Sequence, residues 1–127
     1  MEKSRFDIIS DLFKLSNVIS ESLKLAESLA SKSSCSGETD CKDICRNIRY
    51  SLKPLPFLLA GIREYVTEHE DKELARKFVE LHDETKRLHG ICSKYVDLNK
   101  AAFRTGVAYL SMEVIRQYFF PEKEQEQ

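Results

Sequence analysis

Hydrophobic residues recur along most of this chain at alternating intervals of four and three, the spacing that places them on one face of an α-helix. Short polar stretches separate four such segments, which predict helices over about 5–30, 40–67, 72–95 and 100–120 and a polar tail over 121–127. Ser4 and Asp7 predict a capping box at the start of the first helix. The pattern therefore predicts an all-α fold: an antiparallel up-down four-helix bundle formed by a single domain over 1–127.

The second helix has the most regular apolar seam and also contains two prolines. The seam consists of Cys41, Cys45, Ile48, Leu52, Leu55, Leu59, Ile62 and Val66. Pro54 and Pro56 lack the backbone N–H that a helix interior uses, and each disfavours helical conformation in the residue before it. Because the seam keeps its phase across both prolines, we expect a helix that is kinked or briefly interrupted at Pro54–Pro56.

The first and fourth helices each contain more than one apolar line. On the first helix, a line beside the main seam is expected to widen the buried face; it comprises Ile9, Phe13, Leu25 and Leu29. On the fourth helix, the predicted seam comprises Phe103, Val107, Leu110, Val114 and Tyr118, with Ala108, Ile115 and Phe119 beside it. Gly106 is expected to mark a close helix contact, since an idle glycine inside a helix costs about 1 kcal/mol relative to alanine.

Composition narrows the classes of function. The 127 residues include 42% hydrophobic and 32% charged residues and carry a formal net charge of −1. That balance gives no general attraction to nucleic acid, so we expect no nucleic-acid partner. The first residues lack the apolar region of a secretory signal, and no apolar run approaches the roughly 20 residues that span a bilayer. We therefore predict a cytoplasmic protein.

The cysteines carry no recognisable metal or redox motif. Cys41, Cys45 and Cys92 occupy seam positions, which predicts reduced thiols in the core, while Cys35 lies in a serine-rich loop and is expected to be exposed. An even number of cysteines also fits a secreted, cytokine-like bundle. The spacing of Cys35, Cys41 and Cys45 differs from that of structural zinc sites, so we predict neither a metal nor a cofactor.

Catalytic patterns are weak. Arg76 and His82 fit the loose Arg-x4-6-His pattern of HEPN-type ribonucleases, which makes a HEPN-like ribonuclease one alternative function. His82 and His89 lie beside the seam of the third helix and could approach a seam cysteine, but half-buried, hydrogen-bonded histidines explain both more simply. We therefore predict no catalytic residues and no enzymatic activity.

The clearest surface signal is a line of cations on the second helix. Lys42, Arg46, Arg49 and Lys53 follow one another at intervals of four, three and four, and Arg63 extends the line beyond the prolines. These five residues are the predicted partner-binding residues. They would suit an acidic helix of a protein partner or, as an alternative, an anionic membrane surface; a solvated flank that complements the acidic faces of neighbouring helices is the simpler interpretation.

A second docking candidate lies at the end of the chain. The aromatic run over 118–121 either caps the bundle or forms a docking surface.

The second helix also carries a family resemblance. The stretch CRNIRYSLKPLPFLL over 45–59, followed by Ile62-Arg63-Glu64, resembles the central helix in the N-terminal domain of plant U-box armadillo-repeat ubiquitin ligases. The Ile/Leu/Ser-rich first helix and the CSKY sequence over 92–95 are similar to the flanking helices of that domain. Ala60 and Gly61 stand where the family usually has acidic residues. The wider class includes helical bundles at the N-terminus of plant calcium-influx proteins and of necroptotic pseudokinases.

The resemblance implies a non-catalytic module that binds other proteins, an adaptor or regulator in ubiquitin or immune signalling, with ubiquitin transfer located elsewhere. Because some relatives engage membranes, a membrane-engaging bundle of the cell-death type is the other alternative function. The sequence leaves the oligomeric state open.

Overall fold

The computed structural model describes residues 3–32 and 39–121. Within these ranges all the regular secondary structure is helical, which confirms the prediction of an all-α four-helix fold. The helices are α1 (Arg5–Ala30), α2 (Thr39–Ser51), α3 (Leu55–His69), α4 (Lys72–Val79), α5 (His82–Cys92) and α6 (Asn99–Phe119), with a short 3-10 helix (Val96–Leu98) before α6. Two of the predicted helices are thus each represented by a pair of shorter ones.

The start of α1 is fixed by the predicted capping box. The Ser4 hydroxyl accepts a hydrogen bond from the Asp7 backbone N–H at 3.1 Å, and the Asp7 carboxylate accepts one from the Ser4 backbone N–H at 3.2 Å. Both exchanges satisfy backbone donors that a helix N-terminus leaves unpaired. This prediction is confirmed.

A salt bridge joins the start of α1 to the start of α4. The Arg5 guanidinium donates to the Asp71 carboxylate at 2.7 Å and to the Glu73 carboxylate at 2.9 Å. Asp71 is also the N-cap of α4, where its carboxylate accepts from the Leu74 N–H. The hydrogen bond from Arg5, with that from Leu74, lowers the pKa of the Asp71 carboxyl below its ordinary value.

Between α2 and α3 the chain makes a three-residue turn over 52–54. Pro54 is the N-cap of α3, and Pro56 lies in its first turn, where a missing N–H has no helical partner to lose. Leu52 and Leu55 on either side are fully buried. The apolar seam therefore continues from α2 into α3 across the turn.

The helix predicted over 72–95 is divided at Glu80 and Leu81 and ends at Cys92. No proline or glycine marks this division. The Thr85 hydroxyl donates to the Leu81 carbonyl at 2.7 Å, a bond from threonine to the preceding turn that often bends helices. Continuous apolar spacing concealed the division, because Phe78, Thr85 and Leu88 are all buried as the spacing predicts.

The core lies where the helices meet. α1 packs mainly against α2, α3 and α5, whereas α6 packs mainly against α3, α4 and α5. Their buried side chains form one hydrophobic cluster.

The predicted seam of α6 is wrong. Phe103, Val107, Leu110, Val114 and Tyr118 are exposed, and the buried line instead comprises Ala101, Thr105, Ala108, Met112, Ile115 and Phe119. Ala108, Ile115 and Phe119, which the sequence places beside the predicted seam, are buried. On α1, Phe13 is likewise 70% exposed rather than part of a widened buried face.

Two smaller predictions have different outcomes. A Cβ added to Gly106 would lie 3.1 Å from the His89 ring, which confirms the expected close helix contact. Cys45 and Cys92 are free and buried, but Cys41 is disulfide-bonded, so its assignment as a reduced core thiol is wrong. Cys41 lies in the first turn of α2 and is buried, as its apolar spacing predicts. Apolar spacing carries no information on whether a thiol forms a disulfide. The prediction for Cys35 falls outside the described residues.

The aromatic residues at the end of α6 have separate positions. Phe119 is buried in the core, whereas Tyr118 is exposed. The Arg76 guanidinium lies over the Phe120 ring at 4.4 Å, within the range of a cation–π interaction. The run therefore both closes this end of the core and leaves one ring outside it.

Candidate functional site

The outer face of α6 carries a line of large apolar side chains, here called the α6 stripe. It consists of Phe103, Val107, Leu110, Val114 and Tyr118. Phe103 is 72% exposed, Leu110 54% and Val114 64%. Their spacing of three or four residues makes them neighbours on one helix face, opposite the buried line. Contiguous exposed apolar surface of this kind marks interaction sites more often than single exposed residues do.

A groove between α3 and α6 runs beside the stripe. It has a volume of about 630 Å³ and is lined by Pro56, Leu59, Ala60, Arg63, Asn99, Lys100, Phe103, Arg104 and Val107. Phe103 and Val107 belong to both the stripe and the groove. The two features therefore form one continuous surface. Its concave part is here called the α3–α6 groove.

Three cations line this groove. The Arg63 guanidinium donates to the Ser111 hydroxyl at 2.8 Å, which holds Arg63 across the gap between α3 and α6. Lys100 and Arg104 lie one turn apart on α6. Among the described residues, neither Lys100 nor Arg104 has a salt-bridge or hydrogen-bond partner for its side chain. The α3–α6 groove is therefore positively charged and lined in part by apolar side chains.

The other predicted partner-binding residues lie on α2 and have local contacts. Arg46 donates to Asp43 at 3.0 Å, Arg49 donates to the Asp97 carbonyl at 3.1 Å, and the Lys53 ammonium lies 5.1 Å from the centre of the Tyr50 ring. Lys42 lines a small pocket with Leu29, Cys45 and Tyr95. Of the five predicted residues, the structure brings Arg63 alone into the α3–α6 groove.

Sequence reasoning missed Lys100, Arg104 and the exposure of the stripe. The four-residue spacing of Lys100 and Arg104 was visible, but their proximity to Arg63 depends on how α3 and α6 pack. A signal for the stripe was present in the small residues of the other line, such as Ala101 and Ala108, since small side chains favour close packing of helices.

A second exposed apolar area lies on α1. Phe6 and Phe13 are both exposed and lie about two turns apart on one face of this helix. Phe13 borders a shallow pocket of about 280 Å³ with Lys77 and Glu80. These two side chains have opposite charge, so the α1 area lacks the uniform positive border of the α3–α6 groove.

The arginine and the two histidines considered as catalytic candidates lie outside the α3–α6 groove. Arg76 contacts the Phe120 ring, whereas His82 Nε2 is 2.8 Å from a Glu113 carboxylate oxygen, although the two are not aligned for a hydrogen bond. His89 Nδ1 lies 2.8 Å from the Ala102 carbonyl oxygen. Arg76 and His82 thus contact different residues: Phe120 directly after α6 and Glu113 on α6.

The buried thiols are poor nucleophiles. Burial raises the pKa of the Cys92 thiol to about 11 and also raises the pKa of Cys45. Both therefore stay protonated at neutral pH. Within residues 3–32 and 39–121, no three His, Cys, Asp or Glu side chains are arranged to hold a metal ion.

Comparisons with known protein families, with curated proteins and with solved structures find no match to this chain. Among the helices of the described residues, none is both long and apolar enough to cross a bilayer.

Proposed function

We propose that this chain is a non-catalytic protein-interaction module, an antiparallel up-down four-helix bundle whose binding surface is the α6 stripe with the adjoining α3–α6 groove. The observation that carries the proposal is the exposure of the stripe. Its five large apolar residues do not contribute to the core, because a second line on α6 supplies the buried contacts. Burial against a partner would remove this apolar surface from water.

The resemblance of the second helix supports an adaptor or regulatory role in ubiquitin or immune signalling. In that setting the module selects a partner, and the chemistry belongs to another domain or protein. Arg46 and Arg49 on α2 remain part of the proposal as a second contact region, since both are exposed.

A differential capture experiment tests the proposal. The purified full chain is used as bait in extract of its source, and captured proteins are quantified for the unmodified chain and for three variants. Leu110→Asp with Val114→Asp should reduce capture of specific partners about tenfold or more, because charge is introduced into the middle of the apolar surface. Arg46→Glu with Arg49→Glu should weaken capture less.

The matched control is Phe6→Asp with Phe13→Asp, which makes the same kind of change in the other exposed apolar area. It should leave capture unchanged. Equal capture by the unmodified chain and the α6 variant would contradict the proposal, as would an equal loss in the α1 variant.

A membrane-engaging bundle of the cell-death type is the second candidate function. One observation favours it: an exposed apolar stripe bordered by lysine and arginine is also the pattern of helices that lie in a membrane interface. Co-sedimentation with anionic vesicles that is lost in high salt and in the α6 variant would support this function over the first.

We propose the cytoplasm as the compartment, in line with the prediction from the sequence. The disulfide at Cys41 is the opposing observation, since disulfides are rare in reducing compartments. Thiol titration of protein denatured without reductant, after isolation from its source, distinguishes the two. Four thiols support the cytoplasm, and two contradict it.

A further inference from the structure

We infer that the α3–α6 groove receives an amphipathic helix of a partner protein that carries carboxylates along one flank and places its apolar face on the α6 stripe. This inference rests on the proposed function and specifies the partner's chemistry. Its basis is the combination of an apolar line, a concave groove and cations that lie to one side of the line.

The length of the stripe matches a helix. Phe103 and Tyr118 are 15 positions apart, which corresponds to about 22 Å along the α6 axis at 1.5 Å per residue. A partner helix of about four turns would cover it, with side chains spaced three and four apart in contact with the stripe. The adjoining groove of about 630 Å³ gives such a helix a concave seat rather than a single ridge.

The charges set the chemistry of one flank. Arg63, Lys100 and Arg104 all lie on the α3 side of the stripe, within the groove. On the opposite side, the 100° rotation per residue of a helix places Glu113 and Gln117. A docked helix therefore meets these cations along the flank that faces α3, and carboxylates on that flank would pair with Lys100 and Arg104.

A second copy of the chain fits less well. Glu113 is the one acidic residue of α6, and it lies on the side of the stripe away from Lys100 and Arg104. The α6 helix of a second copy therefore offers few carboxylates to these cations, whereas a helix with carboxylates along one flank offers several.

A membrane surface also fits less well. A bilayer interface accommodates a convex amphipathic face, whereas the stripe continues into a groove between two helices that lipid headgroups would leave unfilled. The observations therefore favour a helix of a partner protein.

Selection from a displayed peptide library tests the inference. The library encodes helices of about 18 residues with fixed leucines on one face and flanking positions drawn from Asp, Glu, Lys, Arg, Gln and Ser. The immobilised full chain should enrich helices with Asp or Glu on one flank. Lys100→Glu with Arg104→Glu should invert the preference toward Lys and Arg.

Binding of an enriched peptide is then measured by fluorescence anisotropy. Lys100→Glu with Arg104→Glu should weaken it about tenfold or more, since two attractive pairs become repulsive. The matched control is Lys14→Glu with Lys24→Glu, the same charge change at two exposed positions of α1, and it should leave the affinity unchanged. Circular dichroism confirms that each variant is folded.

The outcomes separate the inference from the proposed function. Enriched helices without a charge preference, whose binding is lost in the Leu110→Asp, Val114→Asp variant, would overturn the acidic flank while leaving an interaction module. Selection that yields no binder, together with binding to vesicles of anionic lipid or self-association in sedimentation velocity that the same variant abolishes, would overturn the inference in favour of a membrane or a second copy. Failure of the capture experiment above would overturn the proposed function itself.

Discussion

The two faces of α6 differ in a way that reverses the usual expectation. The face toward the bundle presents residues such as Ala101, Thr105 and Ala108, while the face toward solvent presents Phe103, Val107 and Leu110. Both faces follow the same spacing of four and three. In the first half of α6 the smaller side chains are inside, where the helix approaches its neighbours closely, as the contact between Gly106 and His89 illustrates.

This difference shows that the hydrophobicity of a side chain does not predict its burial on this helix. Small residues let two helix backbones come together and still exclude water. The large apolar residues on the opposite face lie outside the buried core. Their presence is better explained by a surface that is covered when a partner binds.

The largest expected effect comes from truncating one side chain on each face. Met112→Ala should lower the free energy of unfolding by about 2–5 kcal/mol, because Met112 is fully buried and its loss leaves a cavity. Leu110→Ala should change it by less than about 0.5 kcal/mol, as at other exposed positions. Urea unfolding of both variants measures the contrast, and equal losses would refute it.

An intermediate effect on stability is expected when one residue on each face is replaced by a larger one. Ala108→Leu should cost about 1–3 kcal/mol, because the inner face has no room for three more carbon atoms. Val107→Leu, on the outer face, should leave the free energy of unfolding nearly unchanged. Thermal unfolding followed by circular dichroism provides the comparison; a well-tolerated Ala108→Leu would mean that the inner face is loosely packed.

The smallest effect is expected from the salt bridge that touches neither face. The pKa of Asp71 is lowered in the folded protein, so its contribution is present above the ordinary carboxyl pKa of about 3.8 and is lost as the pH falls through the lowered value. Stability should therefore decline between pH 5 and pH 2, and this part of the decline should be smaller in Arg5→Ala.

Because Arg5 and Asp71 lie away from α6, Arg5→Ala should act additively with both Met112→Ala and Leu110→Ala. Urea midpoints of the double variants at pH 7 and at about pH 3 check this. Strong non-additivity with Met112→Ala alone would show that the salt bridge and the inner face of α6 are coupled.

The sequence was a good guide where one local signal acts alone. The bounds of α1 follow from an uninterrupted seam that begins at the Ser4–Asp7 capping box, and the end of α6 follows from Pro121. The end of α2 before Pro54 follows from the backbone donor that proline lacks. These features depend on residues that are neighbours along the chain.

It was a poor guide where two patterns compete or where distant segments meet. On α6 the lines through Ala108 and through Leu110 have equivalent spacing, and choosing the more hydrophobic line selected the wrong one. The α3–α6 groove joins Arg63 to Lys100 and Arg104 across more than 35 positions. Only the packing of the helices brings those cations together.

The measurement that tests the central claim most directly is the free energy of unfolding of the Leu110→Asp, Val114→Asp variant at several protein concentrations. If the stripe is an uncovered binding surface, the two charges face water and the free energy should stay within about 0.5 kcal/mol of the unmodified chain at every concentration. A loss of several kcal/mol would contradict the account, because it would show that these side chains are buried in the folded protein.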